Sequence, residues 1–221
     1  METQVICAIQ QKGGAGKTTT LITIISNMVK DGAKIALIDT DDRRNLYRWA
    51  SKEKTKVDYI ELDDDEKLIP MVKKLKEGDY DAIFIDTAGY KSAMSFHASG
   101  ASDLVLIPTP AEESSVMCAL RTYKHIQAVE SMVRRQISAY VLMMDVDKVT
   151  NITKAIRESL ISQDVPLLDS MIGHATGFKE MHSTGLGPSA GAASRESIKL
   201  MSELQRRNLL WFYKEDGRWA S

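Results

Sequence analysis

The sequence predicts an α/β fold: a mostly parallel, doubly wound sheet flanked by helices. Three observations carry that reading. Short apolar runs alternate with helix-period segments along almost the whole chain. The runs are close to continuously apolar, as strands covered on both faces are. Polar and charged residues collect just after the runs, at the edge where open α/β sheets bind ligands.

The elements follow in order. Val5-Ile6-Cys7-Ala8-Ile9 is a buried strand. Residues 18–30 read as a helix, because Leu21, Ile22, Ile24, Ile25, Met28 and Val29 recur at three- and four-residue spacing and Asp31-Gly32 ends the pattern. Lys34 to Asp39 is a second strand, parallel to the first because a helix joins them. A charged loop, Asp41 to Arg44, leads into a short helix through Trp49. Val57 to Ile60 is a strand candidate, and the acidic run Glu61 to Glu66 is a solvated loop before a helix over Leu68 to Leu75. Tyr80 to Asp86, Asp103 to Pro108, Ala139 to Met144 and Leu167 to Ile172 are further strands. Between and after them lie helices over Glu113 to about Arg134, Thr150 to Ile161, and a short piece near Lys179 to His182. A terminal helix is expected at about 194–214, with Ser194 as its N-cap and Ile198, Met201, Leu204 and Phe212 packed inward. No linker or repeat splits the chain, so 1–221 is expected to be a single domain.

Between the first strand and first helix lies Gln11-Lys12-Gly13-Gly14-Ala15-Gly16-Lys17-Thr18-Thr19. The glycines let the backbone bend tightly and bring N–H groups to an anion, and the following helix adds the positive end of its dipole. In a P-loop of this kind Lys17 reaches the β- and γ-phosphates and the Thr18 hydroxyl holds Mg²⁺. Gln11 takes the place of the motif's first glycine, and Lys12 follows it. Asp86, ending the strand Ala82-Ile83-Phe84-Ile85, is the matching Walker B acid that orients Mg²⁺-bound water. Asp39 and Asp41 follow the second strand, Asp145 and Asp147 the sixth, and His174 the last. A phosphate loop and several carboxylates on one edge are what Mg²⁺-dependent phosphoryl chemistry needs.

The Lys-Gly-Gly-Ala-Gly-Lys-Thr run resembles the deviant Walker A box of the ParA/MinD superfamily of P-loop ATPases. The resemblance implies that Lys12 contacts nucleotide phosphates across an ATP-sandwich homodimer. It also implies ATP and Mg²⁺ as cofactors. Gly13, Gly14, Ala15, Gly16, Lys17, Thr18 and Thr19 would cradle the phosphates, with Thr18, Asp39 and Asp86 on the metal side. Asp86-Thr87-Ala88-Gly89 resembles the family's switch II, where Gly89 would donate its N–H to the γ-phosphate. Asp39-Thr40-Asp41 resembles its Asp-x-Asp, where Asp41 would position the attacking water. The family tends to continue with proline and glutamine, and this chain has Asp42 and Arg43. Asp103 to Pro110 matches the family strand that ends in proline. The guanine-reading Asn-Lys-x-Asp motif is missing, which fits ATP; Asp145 to Asp147 and Gly173 to Ala175 are the adenine neighbours by position.

The bulk properties suit a cytoplasmic globular protein, with 43% apolar and 27% charged residues and a formal net charge of −1. Residues 1–120 carry 15 Lys/Arg against 19 Asp/Glu, and residues 121–221 carry 14 against 11. This mild basic bias of the second half permits nucleic-acid contact. No apolar run approaches the about 20 residues that span a bilayer, and no secretory signal is expected at the N-terminus. Cys7 and Cys118 lack partners at metal-ligand spacing and are expected to be buried and reduced. His97, His125 and His182 read as surface or structural.

The leading expectation is a ParA-like, nucleoid-associated ATPase for plasmid or chromosome partitioning. It would dimerise with ATP, bind DNA without sequence preference, and hydrolyse ATP when a ParB-like or other DNA-binding activator engages it. A VirC-type ATPase of DNA transfer would carry the same boxes. A MinD-like ATPase at the membrane would need a C-terminal amphipathic helix. Leu209 to Lys214 is aromatic enough to consider, but packing of that stretch onto the domain is the preferred reading and a membrane partner is not expected. A metabolic P-loop enzyme is a further class, for which no substrate motif is evident.

Overall fold

The computed structural model describes residues 2–52, 54, 56–88 and 93–212. Strands β1 (Gln4–Ala8), β2 (Ile35–Asp39), β3 (Asp58–Glu61), β4 (Ala82–Asp86), β5 (Leu104–Pro110), β6 (Ser138–Val146) and β7 (Leu167–Gly173) form one sheet in the order β3-β2-β4-β1-β5-β6-β7. Every pairing is parallel. The connections carry helices α1 (Lys17–Lys30), α2 (Asn45–Ala50), α3 (Leu68–Lys76), α4 (Ala93–Ala101), α5 (Glu113–Val133) and α6 (Asn151–Ile161). After β7 come α7 (Thr176–Thr184) and α8 (Gly191–Arg206).

The two-residue period of the strands sorts the core into two layers. Ile6 and Ala8 of β1 point to one face, with Leu21, Ile24 and Ile25 of α1 and Leu200, Met201 and Leu204 of α8. Val5 and Cys7 point to the other, with Leu68 and Val72 of α3, Ala119 and Val129 of α5 and Leu160 of α6. Both faces are therefore covered, which is why the strands read as continuous apolar runs. Burial pushes the Cys7 thiol up to about 12, so it packs as an inert apolar side chain. Cys118, on α5, is only half-buried.

Three features differ from the sequence reading. Helix α4 has no counterpart in it, because its Ala, Ser and Gly residues give no apolar stripe; Ser95, Ala98 and Ser99 are nonetheless buried. The terminal helix starts at Gly191 rather than after Ser194, and its N-cap Ala190 offers no side-chain bond. It ends at Arg206, not near 214. Asn208 turns into the left-handed region at φ 55°, and the Leu209 N–H donates to the Leu204 carbonyl. The chain then runs to the start of β1. The Gln4 side chain donates to the Leu209 carbonyl at 2.8 Å and accepts from the Trp211 N–H at 3.0 Å. Leu209 and Leu210 are buried, and Phe212 packs partly buried against the same core layer. Tyr213 and Lys214 lie outside the described residues. Ile198 lies at the margin of α8, half-exposed, rather than inside.

Strand β7 is an edge strand, and α8 closes it. Glu203 accepts from the backbone N–H groups of Asp169 at 2.7 Å and Ser170 at 2.6 Å, and Glu196 accepts from that of Gly173 at 2.7 Å. Backbone donors that would otherwise invite a further strand are thus taken by carboxylates.

Candidate functional site

The carboxyl ends of β1, β2 and β4 lie side by side. Asp86 is in register with Ala8 on one side and Asp39 on the other. Two carboxylates thus end adjacent strands next to the loop 9–16. Within that loop Gly14 and Gly16 hold φ of 75° and 98°, conformations that L side chains rarely adopt. A Cβ on Gly16 would also stand 3.0 Å from Met144 Cε. The turn therefore needs glycine, and it delivers the free N–H groups of the α1 N-terminus to one spot.

Lys17 enters this spot almost fully buried, at 7% exposure, with Nζ 3.4 Å from the Gln10 carbonyl. Burial lowers its pKa, while Asp86 and then Asp41 hold the proton on. Thr18 Oγ1 donates to Asp86 Oδ2 at 2.6 Å. Asp86 is wholly buried, and its other oxygen, Oδ1, has no hydrogen-bond partner among the described residues. Burial, only partly offset by the Thr18 hydroxyl, pushes the Asp86 carboxyl up to about 7, and Asp39 adds to the rise. An acceptor left bare at such depth is a group that fits a cation. Thr18 and Asp86 are the groups that could hold Mg²⁺, which would supply positive charge beside bound phosphates. No group of three or more His, Cys, Asp or Glu among the described residues could hold a metal alone.

Asp39 is buried and serves the backbone. Its Oδ1 accepts from the Asp41 N–H at 3.0 Å and its Oδ2 from the Tyr47 N–H at 2.8 Å. It ties down the loop between β2 and α2. Asp41 is half-exposed at the loop's start, and its carboxylate accepts from the Arg43 N–H at 2.9 Å. Lys12 is half-buried. Its ammonium pairs with Glu112 and donates to Ser114 Oγ at 3.3 Å and Ser115 Oγ at 3.2 Å, at the start of α5. Gly13 and Gly14 are exposed and Ala15 is buried. Gly89 lies outside the described residues.

Sequence reasoning gives His182 no part in the site, yet the fold brings it there. Its Nε2 lies 3.0 Å from Thr19 Oγ1, which joins α7 to the phosphate loop. Both border a cavity of about 180 Å³ lined by Gly14, Met144, Asp145, Gly173 and Phe178. This is where the sequence places the adenine neighbours, and Asp145 there meets His174 Nδ1 at 2.5 Å. A larger hollow, about 820 Å³, lies at the opposite end of the sheet around Lys34 and Tyr80, far from the phosphate loop.

A family model described as VirC1 protein matches residues 3–209. The chain belongs to that family. It is similar to Protein virC1 of Rhizobium rhizogenes, 28% identical over 183 residues that cover 79% of this chain and 78% of that one. It is also similar to Protein ParA of Rhizobium radiobacter, 25% identical over 185 residues, 82% and 83% of the two chains. Among solved structures, an ATP complex of McdA from Cyanothece superposes with a TM-score of 0.75 at 16% identity, covering 94% of this chain and 97% of that one. The resemblance seen in the Lys12 loop thus holds, and with it the P-loop α/β fold of the ParA/MinD superfamily.

Proposed function

We propose that this chain is a Mg²⁺-dependent ATPase that works as a switch, dimerising with ATP and relaxing on hydrolysis. One observation carries the reading. The bare Asp86 Oδ1, the Thr18 hydroxyl and the buried Lys17 ammonium converge under a glycine loop at the N-terminus of α1. Bound Mg²⁺ would supply positive charge that offsets the charge of the phosphates. Thr18 and Asp86 would hold it. Lys17 would exchange the Gln10 carbonyl for phosphate oxygens, and Asp41 would position the attacking water. Asp39 would keep that loop in place. Thr19 and the cavity beside it would take the α-phosphate side and the base.

Family membership favours the VirC-type, DNA-transfer role over plasmid or chromosome partitioning, although both would use the same switch. In either role the ATP-bound homodimer would hold DNA through backbone contacts, and a ParB-like or other DNA-binding protein would trigger hydrolysis. A MinD-like membrane role is less well supported. Leu209 and Leu210 are used by the core, α8 stops before them, and no helix among the described residues is long and apolar enough to cross a membrane. The test is ATP binding and turnover by the wild type and Lys17→Ala, with and without duplex DNA. Turnover that depends on Mg²⁺ and is lost in Lys17→Ala is expected; ATP binding by the variant equal to wild type would overturn the site.

A further inference from the structure

Helix α7 reaches the phosphate loop from the second half of the chain, and packing fixes its place. Phe178 and Met181 are buried in the core layer shared with α1 and α8. Gly177 lies so close to α8 that a Cβ there would stand 2.9 Å from that of Ala193. Four residues after Phe178, on the same stripe of the helix, comes His182. Both line the cavity of about 180 Å³ beside the loop, and His182 is half-buried there. The hydroxyls along α1 show what sets its partner apart. Thr23 Oγ1 donates to the Thr19 carbonyl and Ser26 Oγ to the Ile22 carbonyl, each at 2.7 Å, the usual back-bond of a helical hydroxyl. Thr19 Oγ1 instead lies 3.0 Å from His182 Nε2. The Thr20 N–H donates to the Gly16 carbonyl at 2.8 Å, so Thr19 belongs to the turn whose N–H groups a helix leaves for an anion.

A threonine hydroxyl has one hydrogen to give and lone pairs that accept. An N–H at His182 Nε2 fills the accepting side and leaves the hydrogen for another acceptor. The acceptor this loop is built for is a phosphate oxygen. Lys17 and Thr18 are assigned above to the terminal phosphates and the metal, and the cavity on the His182 side to the base. The phosphate between them is the α-phosphate. We infer that His182 is a positioning residue for the nucleotide: its Nε2–H donates to Thr19 Oγ1 and holds that hydroxyl with its hydrogen toward the α-phosphate. The inference rests on the nucleotide reading above. ATP and ADP share the α-phosphate, so His182 should serve both equally, unlike a group that acts on the γ-phosphate.

The experiment compares wild type, His182→Phe, His182→Gln, Thr19→Ala and the double variant Thr19→Ala/His182→Phe. It measures affinity for ADP and for a non-hydrolysable ATP analogue, each with Mg²⁺, with melting curves to show that each variant is folded. His182→Phe keeps a ring in the cavity wall and removes the donor. His182→Gln gives up the ring and keeps an N–H donor. His182→Phe should weaken both nucleotides about 3- to 10-fold, the range of one neutral hydrogen bond, and His182→Gln should stay within about twofold of wild type. A role in packing alone predicts the reverse order. On the Thr19→Ala background, His182→Phe should change affinity by less than about twofold, because the hydroxyl it positions is gone. If the larger ring does not fold, His182→Ala takes its place in the same comparison. Unchanged affinity without the donor would overturn the inference, as would a loss confined to the ATP analogue or a full loss that persists on the Thr19→Ala background. If wild type itself binds neither nucleotide, the nucleotide reading falls, and this inference with it; if wild type binds both and His182→Phe matches it, this inference alone falls.

Discussion

Thr18 Oγ1 donates to Asp86 Oδ2 at 2.6 Å, and that single bond leaves Oδ1 buried and bare. The pair joins the first turn of α1 to the end of β4. It also fixes a pH dependence. In the unfolded chain this carboxyl titrates near its ordinary 3.8, whereas burial raises it to about 7 in the fold. Between those values the folded state binds a proton that the unfolded state does not. Stability of the nucleotide-free protein should therefore fall as pH rises from about 4 to about 7 and level off above. Asp39, also raised by burial, acts in the same direction. Asp86→Asn should flatten this slope, raise stability at about pH 8, and abolish Mg²⁺-dependent nucleotide binding. Melting curves of both proteins from about pH 5 to 8 check it; parallel slopes would contradict the assignment.

Gly16→Ala tests the phosphate loop without touching a charge. The new Cβ meets Met144 Cε and must also live at φ 98°. Left-handed strain alone costs about 1–2 kcal/mol. Met144→Ala would relieve the clash but not the strain, so the double variant should stay less stable than Met144→Ala by about that amount. Urea denaturation of wild type, both single variants and the double variant measures it. Equal stability of the double variant and Met144→Ala would show that sterics alone select the glycine.

Much of this was legible in the sequence, for physical reasons. Parallel pairing follows from a helix between successive strands, and the Lys17, Thr18 and Asp86 positions follow from a loop with few conformational choices. What stays hidden depends on contacts between distant residues. Lys12 meets Glu112 across 100 positions, and His182 reaches Thr19 across 163. Neither pairing has a local signal. The end of α8 cannot be read from composition, because Asn208 in the left-handed region stops it; α4 escapes a search for periodicity because small residues let it pack without a stripe.

Lys12 and Glu112 should pull self-association in opposite directions. In the single chain the Lys12 ammonium is occupied by Glu112, Ser114 and Ser115. If it serves phosphates across a dimer, that engagement must break. Lys12→Ala should weaken ATP-dependent dimerisation, and Glu112→Ala should shift it to lower ATP concentration. Asp41→Ala should instead accumulate as the ATP-bound dimer, since water positioning is removed and phosphate binding is kept. Light scattering against ATP concentration separates the three; a normal dimer and normal turnover in Lys12→Ala would exclude the sandwich arrangement.

Glu203 should matter more to stability than its charge suggests. It is buried at 4% exposure, satisfies two β7 backbone donors and pairs with Arg207 at 2.9 Å. Glu203→Ala leaves those donors without partners and should cost about 2–4 kcal/mol. Glu203→Gln keeps one accepting oxygen and should cost about half as much. Chemical denaturation measures both, and a loss under about 0.5 kcal/mol in Glu203→Ala would mean that the edge is closed by other groups.

The outer face of α8 bears on DNA. Arg195, Lys199 and Arg206 are exposed on one stripe and form no ion pair among the described residues, while Ser197, Leu200, Met201 and Leu204 are buried behind them. Beside the stripe, Asp169 and Glu203 border a groove of about 660 Å³, but both carboxylates are already engaged by Arg207. The three cations are therefore left to solvent or to an anionic partner. If they contact DNA phosphates, binding carries no sequence preference and releases counterions. Affinity should fall steeply with salt, and should be greatest with ATP if dimerisation brings two stripes onto one duplex. Arg195→Ala/Lys199→Ala should lower the magnitude of the salt slope by about 2 per monomer engaged, since each phosphate neutralised by one cation contributes about 0.9. The check is a titration of wild type and variant against two unrelated duplexes at several salt concentrations, with ATP. An unchanged slope would move the interface to another basic region such as Arg134 or Lys179, and no binding by wild type under any nucleotide condition would remove DNA from the proposed function.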